Sequence, residues 1–134
     1  MSKVEYIDHL KKIANNSDIY YQHAAGIIQN NKLVSSGINK FAAVKSPHYK
    51  RTIHAEISAF YNLSKKNCKG LDMIVIRIKN NTLKNSRPCN NCIDKLTKLG
   101  IRKVYYSNEN GIIVHEFVEN MEKIHVSSGY RLLY

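Results

Sequence analysis

The sequence predicts an α/β domain of three layers, a mixed five-stranded sheet with helices on both faces. Three observations carry this. The block Met73-Ile74-Val75-Ile76, extended by Ile78, is almost continuously β-branched, the pattern of a strand covered on both sides. Segments of helical period alternate with apolar strand runs along the chain. Five such runs occur, and the last two are separated only by Ser107-Asn108-Glu109-Asn110-Gly111, too short for a parallel crossover, so they form an antiparallel hairpin. With 134 residues and an apolar fraction of 43%, residues 1–134 make one domain with one core.

Taken in order, Val4, Ile7, Leu10 and Ile13 recur at helical spacing with Lys11 and Lys12 on the opposite side, giving a first amphipathic helix that ends at Asn15-Asn16-Ser17-Asp18. Tyr20 to Ile28 reads as a core strand. Asn30-Asn31-Lys32 reverses the chain and Leu33 to Gly37 returns as a second strand. Phe41 to Thr52 reads as a loop carrying the basic and aromatic cluster Pro47-His48-Tyr49-Lys50-Arg51, and a second helix is expected from about Ile53 to Lys65. After the β-branched strand, Lys79 to Arg87 reads as a polar loop. Pro88 then opens a third helix, where its missing N–H costs nothing, and Gly100 closes it. Ile101 to Tyr106 and Ile112 to Val114 are the last strands. In the tail, Val118, Met121, Ile124 and Val126 suit a short helix or an extended edge.

Chemistry concentrates in two stretches, His54-Ala55-Glu56 and Pro88-Cys89-Asn90-Asn91-Cys92. One imidazole and two thiols are three ligands suited to Zn²⁺, and a metal serving structure alone normally takes a fourth. An open fourth position admits water, and Glu56 offers a carboxylate to move its protons. Cys89 and Cys92 share one face of a helical turn, whose unpaired N–H groups and positive dipole end favour thiolates. Cys68, past the far end of the second helix and roughly 20 Å from His54 at helical rise, is expected to remain a free thiol. His48 is a weaker alternative ligand to His54, and His115 and His125 read as ordinary surface or strand residues.

Together the H-A-E and P-C-x-x-C stretches resemble the signature of the zinc-dependent cytidine and deoxycytidylate deaminase superfamily. The resemblance covers about ninety residues, and it implies a cytidine-deaminase-like fold, Zn²⁺ on His54, Cys89 and Cys92, and Glu56 as the catalytic proton carrier in hydrolytic conversion of cytosine to uracil. Gly37-Ile38-Asn39 looks like the Gly-x-Asn whose asparagine meets the substrate sugar in that superfamily; as a residue, Asn39 reads equally as a turn former. Ala55, Arg87 and Pro88 fall among the implied substrate contacts, as does Tyr49, which either stacks a base or packs on the helix beneath. Ile101 to Tyr106 resembles the superfamily's pocket-lining strand. Strand alternation lets only one of Tyr105 and Tyr106 reach that pocket, leaving the other for the core. The antiparallel final pair is similar to that of free-cytidine deaminases, although those usually carry cysteine where His54 stands.

Lys and Arg number 21 against 10 Asp and Glu, a formal charge of +11, which favours a polyanionic partner; yet only five of the basic residues are Arg, and A- and T-rich codons also yield Lys, Asn, Ile and Tyr. The expected substrate is therefore a cytosine nucleotide or single-stranded DNA or RNA, in a protein able to assemble as a homo-oligomer. Two alternatives stay open, an adenosine deaminase of the same fold and a catalytically silent zinc module that binds nucleic acid. No apolar run suits a membrane span or a signal peptide, so the expected location is intracellular, cytoplasmic or nuclear.

Overall fold

The computed structural model describes residues 3–42 and 52–123. Its main sheet has the order β2-β1-β5-β7-β8, built from β1 (Gln22–Gln29), β2 (Lys32–Ile38), β5 (Asp72–Lys79), β7 (Lys103–Ser107) and β8 (Ile113–Phe117), with β6 (Thr82–Lys84) attached to β5. All neighbouring strands are antiparallel except β5 and β7, which run parallel through the crossover that contains α3 (Asn90–Leu99). The mixed sheet and the antiparallel β7–β8 pair agree with the sequence reading.

Alternation along the strands sorts the side chains into two cores. Ala24, Ile74, Ile76, Ile78 and Tyr105 pack with Leu10 and Ala14 of α1 (Lys3–Ala14). On the other face, Ala25, Ile27, Met73, Val75, Val104 and Tyr106 pack with Ala55 and Ala59 of α2 (Ala55–Tyr61) and with Ile93 and Leu96 of α3. This is the expected three-layer arrangement, and Ile74, Ile76 and Met73 are fully buried because β5 has helices on both sides.

Several boundaries differ from expectation. Asn30 and Asn31 both have positive φ, 51° and 60°, as the two-residue hairpin turn demands, and Asn80 and Asn81 repeat this at 51° and 62°. The span from Lys79 to Arg87 is therefore a hairpin carrying β6 and not a plain loop, and the sheet gains a sixth, short strand. The first strand starts at Gln22, leaving Tyr20 and Tyr21 in front of it, 76% and 50% exposed. Lys40–Phe41 (β3) and Thr52–Ile53 (β4) pair with one another at the ends of what reads as a loop, so Ile53 is extended and α2 begins only at Ala55. That helix stops at Tyr61, far short of Lys65, because Leu63 turns into the core and Asn62 donates from Nδ2 to Ser36 O at 2.8 Å. Pro88 precedes the cap residue Cys89 instead of opening α3, since Cys89 is itself extended at φ −72°, ψ 168°. Gly100 closes α3 in the left-handed conformation, φ 78°, as expected. Beyond β8, Val118–Asn120 forms one 3₁₀ turn that buries Val118 and brings Met121 into the α3-side core. Pro47, His48, Tyr49, Lys50, Arg51, Ile124, His125 and Val126, of which the sequence raised expectations, lie outside the described residues. Among the described residues, no helix is long and apolar enough to cross a membrane.

Candidate active site

Two helix N-termini meet above one face of the sheet, and the three candidate ligands sit on them. His54 is the cap residue of α2 and Cys89 that of α3, while Cys92 stands in the first turn of α3. A cap position normally holds a residue whose side chain accepts a bond from the first turn, worth about 1 kcal/mol. His54 and Cys89 make no such bond. Their side chains turn toward each other instead: His54 Nδ1 lies 2.9 Å from Cys92 Sγ and 3.9 Å from Cys89 Sγ, and the three donor atoms fall within 4.8 Å of one another.

This donor set suits zinc. One nitrogen and two sulfurs converge at a spacing that a single tetrahedral ion can bridge. Without a cation the protons divide unequally among them. Cys89 is held down to about 3, first by the hydrogen bond from Cys92 and then, against its own burial, by that from His54. Cys92 is pushed well above the ordinary thiol range, first as donor to Cys89 and then by burial. His54 is raised, first by its hydrogen bond to Cys89, with burial opposing. A thiolate already stabilised beside a poised imidazole is the local field a divalent cation completes. Cys68 lies apart from this group, 2% exposed in the α3-side core with its thiol pushed up by burial; it is more deeply buried than a residue near a helix end suggests.

The placement of α2 follows from its fit against β2. A Cβ on Gly37 would lie 2.5 Å from the Ala59 nitrogen and 2.6 Å from the Ser58 carbonyl carbon, so only glycine admits the helix there. Ser35 Oγ also donates to Ala59 O. The helix held this way brings Glu56 inward, 4% exposed and beside Cys92. On the other limb, Ser86 Oγ donates to Val75 O at 2.8 Å and accepts from Ser107 N at 2.9 Å, anchoring the segment that leads into Cys89 on the middle of β5 and the end of β7.

The remaining sequence candidates separate. Tyr106 lies on the α2 and α3 face with the site, where its hydroxyl donates to Glu116 Oε2 at 2.5 Å. Tyr105 is across the sheet in the α1 core, its ring 5.4 Å from that of His115, so it drops out as a pocket residue. Arg87 is half-committed within the protein: Nε pairs with Glu116 Oε2 at 3.0 Å and Nη2 donates to Glu122 O at 2.8 Å. Asn39 does not have a left-handed backbone and is only 7% exposed. Its Oδ1 accepts from Ser17 Oγ and His23 N at 2.8 and 2.9 Å, and its Nδ2 donates to Tyr21 O at 2.6 Å. Its amide thus ties β1 to the end of β2, and the left-handed turn role expected of it is not found. The Ala55 side chain is fully buried against the sheet at the start of α2, and Pro88 is buried beside the Cys89 cap.

One site-facing residue escaped the sequence reading. His23 follows the alternation Tyr21, His23, Ala25, Ile27 onto the α2 face, where it is drawn electrostatically by Glu56 and repelled by His54 and Arg77; burial keeps its imidazole below the ordinary range. The signal was the period of two, masked by a strand start placed at Tyr20.

Comparison with known proteins agrees with this geometry. Residues 2–108 match the family model described as the cytidine and deoxycytidylate deaminase zinc-binding region. Among solved structures, cytidine deaminase from Burkholderia pseudomallei superposes with a TM-score of 0.67 at 16% identity, covering 90% of this chain and 95% of that one. The dCMP deaminase of cyanophage S-TIM5, solved with dCMP and dUMP, gives 0.54 at 20% identity over 81% and 85%. Acinetobacter baumannii RibD gives 0.50 at 15% identity, with 78% of this chain on 27% of that longer one. At such identities the likeness establishes the fold. No curated protein matches by sequence.

Proposed function

We propose that this chain, which belongs to the cytidine and deoxycytidylate deaminase zinc-binding family, is a hydrolytic deaminase that converts cytosine to uracil in a cytidine nucleotide or in single-stranded nucleic acid. The carrying observation is Glu56, a buried carboxylate set beside Cys92 in the converging His54, Cys89 and Cys92 group. A structural zinc knuckle has no use for a fourth side chain that is acidic, buried and left off the donor set.

In this reading His54, Cys89 and Cys92 hold Zn²⁺. Bound there, zinc supplies a Lewis acid that makes a water available as a nucleophile near neutral pH. Glu56 would take one proton from the attacking water as its oxygen bonds to C4 of the cytosine and return it to N3. The second proton, from the hydroxyl left on C4, would pass by way of Glu56 to the amine as the C4–N bond breaks and C4=O forms, so that one water consumed balances one ammonia released. Tyr106, Glu116 and Arg87 act as positioning residues: their linked bonds brace the segment carrying Pro88 and Cys89 against β7 and β8. A cytosine must be unpaired to enter such a site, which restricts a polymeric substrate to single strands.

The test is a product screen of the zinc-loaded protein against dCMP, cytidine, single-stranded DNA and RNA, with mass detection of the one-dalton change on deamination. Uracil product from at least one substrate, absent in Glu56→Gln at unchanged zinc content, is the expected result. Deamination by Glu56→Gln at the unmodified rate would sink the assignment.

A further inference from the structure

Past the end of the core, the site face of the sheet changes character. Val75 is buried among apolar neighbours, and two residues later the same face of β5 presents Arg77. Arg77 stands directly opposite His23 on β1 and Lys84 on β6. Directly opposed cross-strand residues project to the same side of a sheet. Three basic side chains therefore form one row across β1, β5 and β6.

The Arg77–Lys84 pair is unfavourable as it stands, because directly opposed like charges repel. Among the described residues, Arg77 and Lys84 have no carboxylate partner within salt-bridge distance. Arg77 is also partly sequestered: its Nε is buried and without a hydrogen-bond partner among the described residues. Its guanidinium carbon lies 4.4 Å from the centroid of the Tyr21 ring. Cation–π contact engages the face of a guanidinium, whereas its N–H donors radiate in the plane and stay available for a forked acceptor. Next to it, Lys79 Nζ lies 5.9 Å from the ring centroid of Tyr20. Arg87, the other arginine near the site, has its charge answered by Glu116 at 3.0 Å, so the two are not equivalent.

The row adjoins the reacting groups. His23 lies at its β1 end, and two residues further on, on the same face, Ala25 packs in the core with Ala55, the residue between His54 and Glu56. An anion lying on Arg77 and Lys84 would thus occupy the same face of the sheet as α2, which carries Glu56.

We propose that His23, Arg77 and Lys84 form the phosphate subsite of this enzyme, so that the substrate is a phosphorylated cytidine rather than the free nucleoside. The inference rests on the deaminase reading above for the identity of the base, but not for the anion. A phosphate offers the forked oxygens that match in-plane guanidinium donors, and its negative charge relieves the repulsion along the row. That phosphate comes from one of two sources, the 5′-monoester of a mononucleotide or the phosphodiester beside a cytosine in a single strand. Exposed Tyr20, 76% accessible, offers a ring on which a neighbouring base of a strand would stack.

The decisive measurement is a ratio. The kcat/KM for dCMP, and separately for a short single-stranded oligonucleotide with one cytosine, is divided by that for deoxycytidine, in the unmodified protein and in Arg77→Gln and Arg77→Lys. The unmodified protein is expected to favour phosphorylated substrate, and Arg77→Gln to shrink that preference by about 10- to 100-fold, chiefly through KM, with Arg77→Lys between them. The substrate whose ratio falls further identifies the source of the phosphate. A ratio near one in the unmodified protein, or one unchanged in Arg77→Gln, overturns the proposal. A purely structural Arg77 would depress all substrates together and leave the ratio alone. Binding separates this from failure of the deaminase reading: calorimetry on Glu56→Gln should show dUMP held more tightly than deoxyuridine, and adding Arg77→Gln should erase the difference. If the two ligands bind alike, the subsite is refuted whatever the enzyme turns over.

Discussion

On the α1 side of β5, Ile74, Ile76 and Ile78 pack against Leu10 and Ala14, whereas on the other side Met73 and Val75 give way within one strand to Arg77, on the face covered by α2 and α3. The two faces belong to the same eight residues and the same backbone bonds. What differs is the helix laid over each. α1 presents a continuous apolar stripe. Over the opposite face α2 and α3 point their N-termini at one another, and there the unpaired N–H groups and positive dipole ends can be matched only by anionic or polar chemistry. One face is thus free to bury apolar side chains alone, and the other must bury ionisable ones, Glu56, Cys89 and Cys92, where the helix ends converge.

The comparison predicts that stability and activity come apart when the faces are altered separately. The largest effect should follow Glu56→Gln, which removes proton transfer and lowers the deamination rate by about 10²- to 10⁴-fold with zinc content and melting temperature retained. Ammonia release and metal analysis on the same sample check this, and loss of zinc together with activity would mean that Glu56 builds the site instead of working in it. On the dry face, Ile76→Ala should cost about 2–5 kcal/mol of folding stability by opening a cavity, with little change in rate per folded molecule. Urea unfolding beside initial rates is the check, and a rate loss exceeding the unfolded fraction would break the division between the faces.

Between these lies Cys92→Ala. It should abolish stoichiometric zinc uptake, measured by chelator competition. In metal-free protein Cys89, held to about 3 by Cys92 and His54, should alkylate at a rate nearly flat between about pH 5 and pH 8, while buried Cys68 with its raised thiol stays unmodified. Peptide mapping by mass spectrometry reads both sites. The smallest effect belongs to the rim. Burial raises the Glu116 carboxyl, but the bonds from Tyr106 and Arg87 outweigh it, so its pKa is lowered on folding. Its stabilisation is then complete above the ordinary carboxyl range of about 4.3 and disappears as pH falls through the depressed value. At 32% side-chain exposure, solvent screening limits the loss in Glu116→Gln to about 1 kcal/mol or less. Melting curves of both proteins should converge on acidification; a constant gap would count against the ion pair.

Much of this was legible in the chain, unevenly. Gly100 as helix stop, the β7–β8 hairpin and the reversal at Asn30-Asn31 follow from residues adjacent in sequence whose backbone preferences are their own. Asn80-Asn81 carries the same signal, but the strand that follows it, Thr82–Lys84, is too short and polar to show a period of its own. The end of α2 was overestimated for the opposite reason: helical spacing continued on paper, while Leu63 was claimed by the core.

The sequence by itself determined the two halves of the donor group, since His54 and Glu56 are two residues apart and Cys89 and Cys92 three, separations set by covalent geometry and the helical turn; the meeting of the halves, across 35 and 38 residues, belongs to the fold. Only the tertiary structure decided that Tyr106 and not Tyr105 shares the face of the site, that the Asn39 amide is bound within the protein, and that His23, Arg77 and Lys84 stand in one row. Those relations join residues remote along the chain. They are set by strand register, which depends on how whole apolar faces pack, and no local spacing contains that information.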